Sequence, residues 1–250
     1  MDVKLVARTL DLFELFAAER RPLSLTEMAR GLDVAASSCL ALARTLVSRG
    51  YLYEVRKRGG YYPTRRLQLL ANEIDAVDPV VEMLHPWLVK LRDATGETIV
   101  LGKIHGVMVL YLDVVESAKD VRYSCAPGSQ RPLHANSIGK AIFGELSPQM
   151  QQTLGAKLVF ERYTDATVPD LATLISQAGA AHARGWYVNI GESLPELSAV
   201  ATALNFAGDL YGLSVVGPTE RIRQHLDTHA ATLVEIKQHI LAAVERRQSA

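Results

Sequence analysis

The stretch Ser37 to Leu52, SSCLALARTLVSRGYL, leaves little freedom in what the first part of this chain can become. Cys39, Leu42, Ala43 and Leu46 stand at i, i+3, i+4 and i+7, the stripe that a packed helix buries. The other face carries Ser37, Ser38, Leu40, Ala41, Arg44, Thr45 and Ser48, most of them short, so its backbone can approach another surface closely. Just upstream, Leu25 to Leu32 opens with Ser24 and has Glu27 three residues on, the pattern of a capping box. Gly31-Leu32-Asp33-Val34 forms the turn between the two helices. Downstream, Tyr51 to Val55 alternates like a strand, Arg56-Lys57-Arg58-Gly59-Gly60 is a basic turn, and Tyr61-Tyr62-Pro63 starts a return strand. A helix-turn-helix followed by a basic hairpin is a winged helix, whose usual partner is DNA.

Charge supports that partner. The chain is formally neutral, but residues 1–66 hold 12 basic against 7 acidic side chains, while the remainder holds 15 against 20. A cationic small domain beside an acidic larger one suits phosphate neutralisation by the first, although by itself the excess is equally well a solvated face. There is no apolar leader behind a basic start and no uncharged apolar run of about 18 residues, so neither a signal peptide nor a membrane span is expected, and the expected compartment is the cytoplasm. Cys39 and Cys125 form no CxxC pair, which fits a reducing compartment without a cysteine zinc site.

Helix one is predicted from Val3 to Glu19 with Val6, Leu10, Phe13 and Ala17 inward. RRLQLLANEID, from Arg65 to Asp75, is again helical, and Asp78-Pro79 marks a domain boundary. Val80 to Thr95 is a long amphipathic helix stopped by Gly96. The period then changes to that of strands at Thr98 to Ile104 and Val107 to Glu116, with a further strand predicted at Val121 to Ala126. Helices at Ser137 to Gly144, Ser147 to Leu154 and Asp170 to Arg184 precede strands at Trp186 to Ile190, Leu197 to Leu204 and Tyr211 to Val216, the last two joined by Ala207-Gly208-Asp209. Thr228 to Arg247 closes the chain as a helix. Strands and helices are grouped, not strictly alternating, so the fold class is α+β with a mostly antiparallel sheet.

Several spaced segments together resemble the IclR family of bacterial transcriptional regulators over essentially the whole length. They are RPLSLTEMARGLDVAASS and TLVSRGYL, then LRDATGETIVLGKIHG, VLYLDVVES, RPLHANSIGKAI, ARGWYVNIGES and YGLSVVGP. The resemblance implies a winged helix-turn-helix over residues 1–65, a linker helix over 66–78 used in dimerisation, and a GAF-like effector-binding domain over 79–250. It implies a regulator, expected to be a repressor of a catabolic operon, with a near-palindromic operator in double-stranded DNA, a dimer or tetramer, a small organic acid or aromatic effector, and no cofactor. The family's recognition helix maps onto Ser37 to Arg49 and its wing onto Arg56 to Tyr62. The candidate DNA-contacting residues are Ser24, Thr26, Ala36, Ser37, Ser38, Leu40, Ala41, Arg44, Arg56, Lys57, Arg58 and Tyr61. Leu40 and Ala41 depart from the many members with polar or basic residues there, which leaves Arg44 as the base reader of the helix, unless it forms a surface ion pair.

The matching effector positions are Asn136, Ser137, Ile138, Asn189, Glu192, Ala199, Ser214 and Val216. Amides at Asn136, Ser137 and Ile138, at the positive end of a helix, suit a carboxylate; the plainer alternative is that Asn136 only caps that helix. Ala199 stands where many members carry cysteine, and Ile138 and Val216 where some carry small or hydroxyl residues. The resulting apolarity favours an aromatic or medium-sized carboxylate, or an amide of one, over a two-carbon acid.

An enzyme is the main rival, and none of the nucleophile-elbow, metalloprotease or phosphate-loop patterns occurs, Gly139-Lys140 lacking the rest of a phosphate loop. His225 and His229 have the spacing of a metal pair but straddle a helix start at Asp227-Thr228. Cys125 with His134 can be drawn as thiol and base, yet a small buried cysteine is much commoner. The other rival is a winged helix that contacts protein in place of DNA.

Overall fold

Helix α3, Ala36–Ser48, buries Cys39, Leu42, Ala43 and Leu46, the four residues that its spacing places on one face. This computed structural model describes residues 3–55, 60–75 and 78–248. They divide into two units, residues 1–78 and 79–250. In the first, α1 (Lys4–Glu19), α2 (Leu25–Gly31) and α3 precede a hairpin of β1 (Leu52–Glu54) and β2 (Tyr61–Pro63), and α4 (Arg66–Asp75) follows. The capping box forms. The Ser24 hydroxyl accepts from the Glu27 amide, and the Glu27 carboxylate accepts from the Ser24 amide at 2.8 Å. The Ser24 amide and hydroxyl, with Arg21, hold that carboxyl down at about 2. Between α2 and α3 the axes bend by 110°, and Asp33 supplies the turn with a left-handed backbone, φ 50°.

Helix α1 corrects one expectation. It buries Leu12 and Phe16, with Phe13 and Leu15 partly buried, whereas Val6 and Leu10 are more than half exposed and Ala17 is exposed. Two apolar stripes compete on this helix. The inward one carries Phe16, whose ring meets Tyr62 edge-on at 6.0 Å. The hairpin pairs Tyr53 with Tyr62, and Tyr61 also bridges to Leu23. Its tip, Arg56, Lys57, Arg58 and Gly59, lies outside the described residues.

In the second unit α5 (Pro79–Thr95) leads into β3 (Thr98–His105), β4 (Met108–Val115) and β5 (Gln130–Pro132). A 3₁₀ turn at Leu133–Ala135 then enters α6 (Ser137–Glu145), α7 (Pro148–Gly155) and α8 (Leu171–His182). Strands β6 (Tyr187–Ile190), β7 (Leu197–Phe206) and β8 (Asp209–Pro218), with α9 (Thr219–Gln224) and α10 (Leu226–Gln248), complete it. The sheet runs β5-β4-β3-β8-β7-β6 with every pairing antiparallel. Helices α5 and α10 cover one face and α6 and α8 the other. Ile99, Leu101, Leu213 and Val215 therefore join one core, and Val100, Ala199, Ala201 and Val216 the other. Strands β7 and β8 extend past those expected from the sequence because a two-residue turn lets their pairing run unbroken from Phe206 opposite Asp209 to Leu197 opposite Pro218. Their turn is Ala207-Gly208 alone, with φ 52° and 84°.

The strand expected over 121–126 is absent, and the edge beside β4 is taken by β5. Its carbonyls are tied to side chains instead: Tyr123 O accepts from the Thr98 hydroxyl at 2.7 Å, and Val121 O from Arg221 at 2.8 Å. Arg221 also clamps the buried Glu97 carboxylate through two bonds of 2.8 Å, with Lys119 at 2.9 Å. Burial resists ionisation of Glu97, but the guanidinium and ammonium outweigh it and hold the carboxyl below its ordinary value. A depressed carboxyl contributes stability that is present above its ordinary value of 4.5 and drains away as the pH falls through the folded value. Chemical denaturation across pH is thus expected to show wild-type stability falling on the acid side of 4.5, with a shallower fall in Glu97→Gln. Equal acid slopes in the two proteins contradict this assignment.

Candidate functional site

On the first unit, α3 exposes Ala36, Ser37, Ser38, Ala41 and Arg44, with Leu40 half-buried. Small side chains let the helix backbone approach a duplex, and no described residue forms an ion pair with Arg44, so its guanidinium is available for a base edge. Thr26 is exposed at the start of α2. The Ser24 hydroxyl is committed to Glu27, at 2.7 Å from its carboxylate. Tyr61 is half-buried, and its amide donates to Leu23 O at 2.8 Å, which holds the hairpin to the body of the domain.

On the second unit, a cavity of about 330 Å³ lies between the start of α6 and the sheet. Seven of the eight effector candidates line it: Asn136, Ser137, Ile138, Asn189, Ala199, Ser214 and Val216. Strand register brings the last three together, since Ala199 pairs with Val216 and Ala201 with Ser214, and residues two apart share a face. Helix α6 sits close on the sheet because Gly212 leaves room for Ile138, where any Cβ would collide.

Two expectations are corrected here. Asn136 is an N-cap in full: its Oδ1 accepts from the amides of Ile138 at 2.9 Å and Gly139 at 3.3 Å, and its own amide donates to Leu133 O. Of the three amides expected to hold a carboxylate, two are thus engaged within the protein. The cap wins because its oxygen is covalently held at the helix end. Glu192 is absent from the cavity wall. Its carboxylate turns to the buried Lys140 ammonium, which also donates to Gln177 Oε1 at 2.9 Å and Val188 O at 3.3 Å. The Glu192 amide donates to Asn189 Oδ1 at 3.0 Å, and Asn189 Nδ2 donates to Ala135 O. Glu192 and Asn189 accordingly brace the cavity wall through hydrogen bonds inside the protein.

The remaining lining escaped the sequence reading. Tyr111 and Arg131 come from β4 and β5, Tyr123 from the segment between them, Tyr163 from the connection between α7 and α8, and Ser193 and Ser198 from the loop before β7 and from its start. Tyr111 receives a hydrogen bond from Asn136 Nδ2 at 2.9 Å, and burial pushes its phenol up, so it stays neutral. Its signal was the two-residue alternation of β4, which buries Val109, Tyr111, Asp113 and Val115. The Ser137 and Ser214 hydroxyls meet at 3.0 Å, and Ser214 can donate on to Val200 O at 3.2 Å.

Groups drawn for enzyme chemistry do not assemble. Burial pushes the Cys125 thiol up to about 11, a poor thiolate. His134 Nε2 lies 2.9 Å from Glu161 O, and its ring stacks on Tyr163. His225 and His229 lie with ring centroids 5.7 Å apart, and no third His, Cys, Asp or Glu joins them among the described residues. No single helix among those residues is long and apolar enough to cross a membrane.

Comparison with known proteins joins the two units. Residues 5–56 match the IclR helix-turn-helix domain, and residues 74–242 the C-terminal domain of the bacterial transcriptional regulator IclR. The HTH-type transcriptional regulator BhcR of Paracoccus denitrificans is 31% identical over 222 residues, covering 88% of this chain and 79% of that protein. The acetate operon repressor of Salmonella typhimurium is 25% identical over 236 residues, covering 93% and 86%. Among solved structures, an IclR homolog from Microbacterium hydrocarbonoxydans complexed with 4-hydroxybenzoate superposes with a TM-score of 0.79 at 19% identity, over 97% of this chain and 99% of that one.

Proposed function

Because the chain belongs to the IclR family of transcriptional regulators, we propose that it binds a near-palindromic operator as a dimer and that a small aromatic carboxylate in the α6 cavity changes this binding. In this reading Arg44 reads a base edge. Thr26, Ala36, Ser37 and Ser38 approach phosphates with their side chains or amides, Leu40 and Ala41 pack on thymine methyl groups, and Arg56, Lys57 and Arg58 contact the backbone or minor groove. Ser24 and Tyr61 act as supports of that surface. A ligand bound more tightly in one arrangement of the paired DNA-binding domains than in another shifts the population between them. In that shift the ligand relieves repression of a catabolic operon.

The cavity carries the effector half of the reading. Its volume of about 330 Å³ lies near the lower end of the range for small-molecule sites. Its walls are aliphatic and aromatic with a few hydroxyls, the side-chain amides of Asn136 and Asn189, and Arg131, which suits one ring with polar substituents. The 4-hydroxybenzoate complex of the Microbacterium structure supports the same class.

Isothermal titration of the full-length protein with hydroxybenzoates, phenylacetates and short keto acids is the test. Aryl acids are expected to bind, and Ala199→Trp, which fills the cavity from β7, is expected to abolish binding. Binding confined to the short keto acids, or aryl-acid binding untouched by Ala199→Trp, contradicts the proposal.

A further inference from the structure

We propose that Arg131, on the edge strand β5, is the anion anchor of the α6 cavity, so that the ligand's carboxylate faces the sheet edge and its other end faces the start of α6. This rests on the reading of the cavity as the effector site and adds which residue selects the charge.

The start of α6 has little to offer an anion, since Asn136 Oδ1 already accepts from the amides of Ile138 and Gly139. Arg131 is the opposite case. It is half-buried and lines the cavity, and its guanidinium carbon lies 5.7 Å from the Tyr111 ring centroid. Its Nη1 donates to Gln130 O at 2.8 Å, and no carboxylate pairs with it among the described residues. Glu116 is held by Arg122 at 3.0 Å and by the Ser124 hydroxyl.

No other lysine, arginine or acid lines the cavity among the described residues. A cation partly removed from water and without a counter-ion raises the energy of the empty site, and a carboxylate relieves it. The planar fork of a guanidinium matches the two oxygens of a carboxylate.

The rest of the ligand follows from what stands beyond the anchor. Tyr111 offers its ring face next to the charge, and Tyr123 and Tyr163 add aromatic wall to the same cavity. Ser214 lies on β8, three strands in from β5, where its hydroxyl meets that of Ser137. A flat acid whose far end carries a hydroxyl satisfies both sides, which points to hydroxyaryl carboxylates.

The test is calorimetric binding of 4-hydroxybenzoate and its neutral amide, 4-hydroxybenzamide, to the full-length wild type, Arg131→Gln and Arg131→Lys. Wild type is expected to prefer the acid. Arg131→Gln is expected to lose the acid by about 10- to 100-fold while holding the amide nearly unchanged, and Arg131→Lys to recover part of the loss. The amide doubles as the check that the variant cavity is intact. Acid binding that survives Arg131→Gln overturns the anchor and leaves the cavity reading standing, as does an equal loss of acid and amide. If the wild type binds neither compound, nor phenylacetate, both readings fall.

Discussion

Lys140→Met is expected to destabilise the larger unit by about 3–5 kcal/mol, the magnitude for removing one partner of a buried ion pair. The side chains of Lys140 and Glu192 are 4% and 9% exposed. Burial pushes the ammonium down and the carboxyl up, and each charge opposes the other's shift. Methionine leaves Glu192 charged and enclosed, with Oε2 already lacking a partner among the described residues. A loss of that size is a large fraction of a domain's net stability. The double variant Lys140→Met with Glu192→Leu is expected to recover most of it, because two apolar groups need no counter-charge.

The pH dependence has a definite sign. A carboxyl raised above its ordinary value contributes stability at low pH and loses it as the pH rises through the folded value. The deficit of Lys140→Met is therefore expected to shrink as the pH is lowered and Glu192 takes up a proton. Urea unfolding of the two variants and the wild type at several pH values measures all of this. A deficit below about 1 kcal/mol, the value of an exposed pair, contradicts the burial argument.

Arg44→Ala is expected to weaken operator binding by about 1–3 kcal/mol and to relax the preference at one base pair in each half-site. The comparison is Lys57→Ala in the wing, which is expected to weaken binding to all sequences alike and to lower the salt slope by about one. Operators selected in vitro by the full-length protein supply the substrates for both. Uniform weakening across sequences in Arg44→Ala removes it as a base reader and leaves it a phosphate contact.

Much of the DNA-binding unit was legible because its signals are local. The capping box of Ser24 and Glu27 lies within one turn, and the buried stripe of α3 needs only a period of 3.6. Helix α1 was misread because two stripes satisfy the same period, and the choice depends on the distant Tyr62. In the larger unit, Ala199, Ser214 and Val216 were found through the family resemblance, and strand alternation explains why they converge. Arg131 opens the segment RPLHANSIGKAI, where nothing local marks it as a ligand contact. It sits on a three-residue edge strand ending in Pro132, which leaves almost no periodic signal, and the strand was expected instead at 121–126. Glu192 was displaced from the cavity by Lys140, a partner 52 residues away that no local pattern announces.

The most direct measurement is fluorescence anisotropy of the full-length protein on a selected operator over a range of salt, with and without saturating 4-hydroxybenzoate. Affinity is expected to fall linearly on logarithmic axes with a slope of several. At fixed salt the acid is expected to change it by about 5- to 150-fold, an effect that Ala199→Trp removes. No binding at low ionic strength, or an affinity indifferent to the acid in the wild type, contradicts a regulator whose cavity controls its hold on DNA.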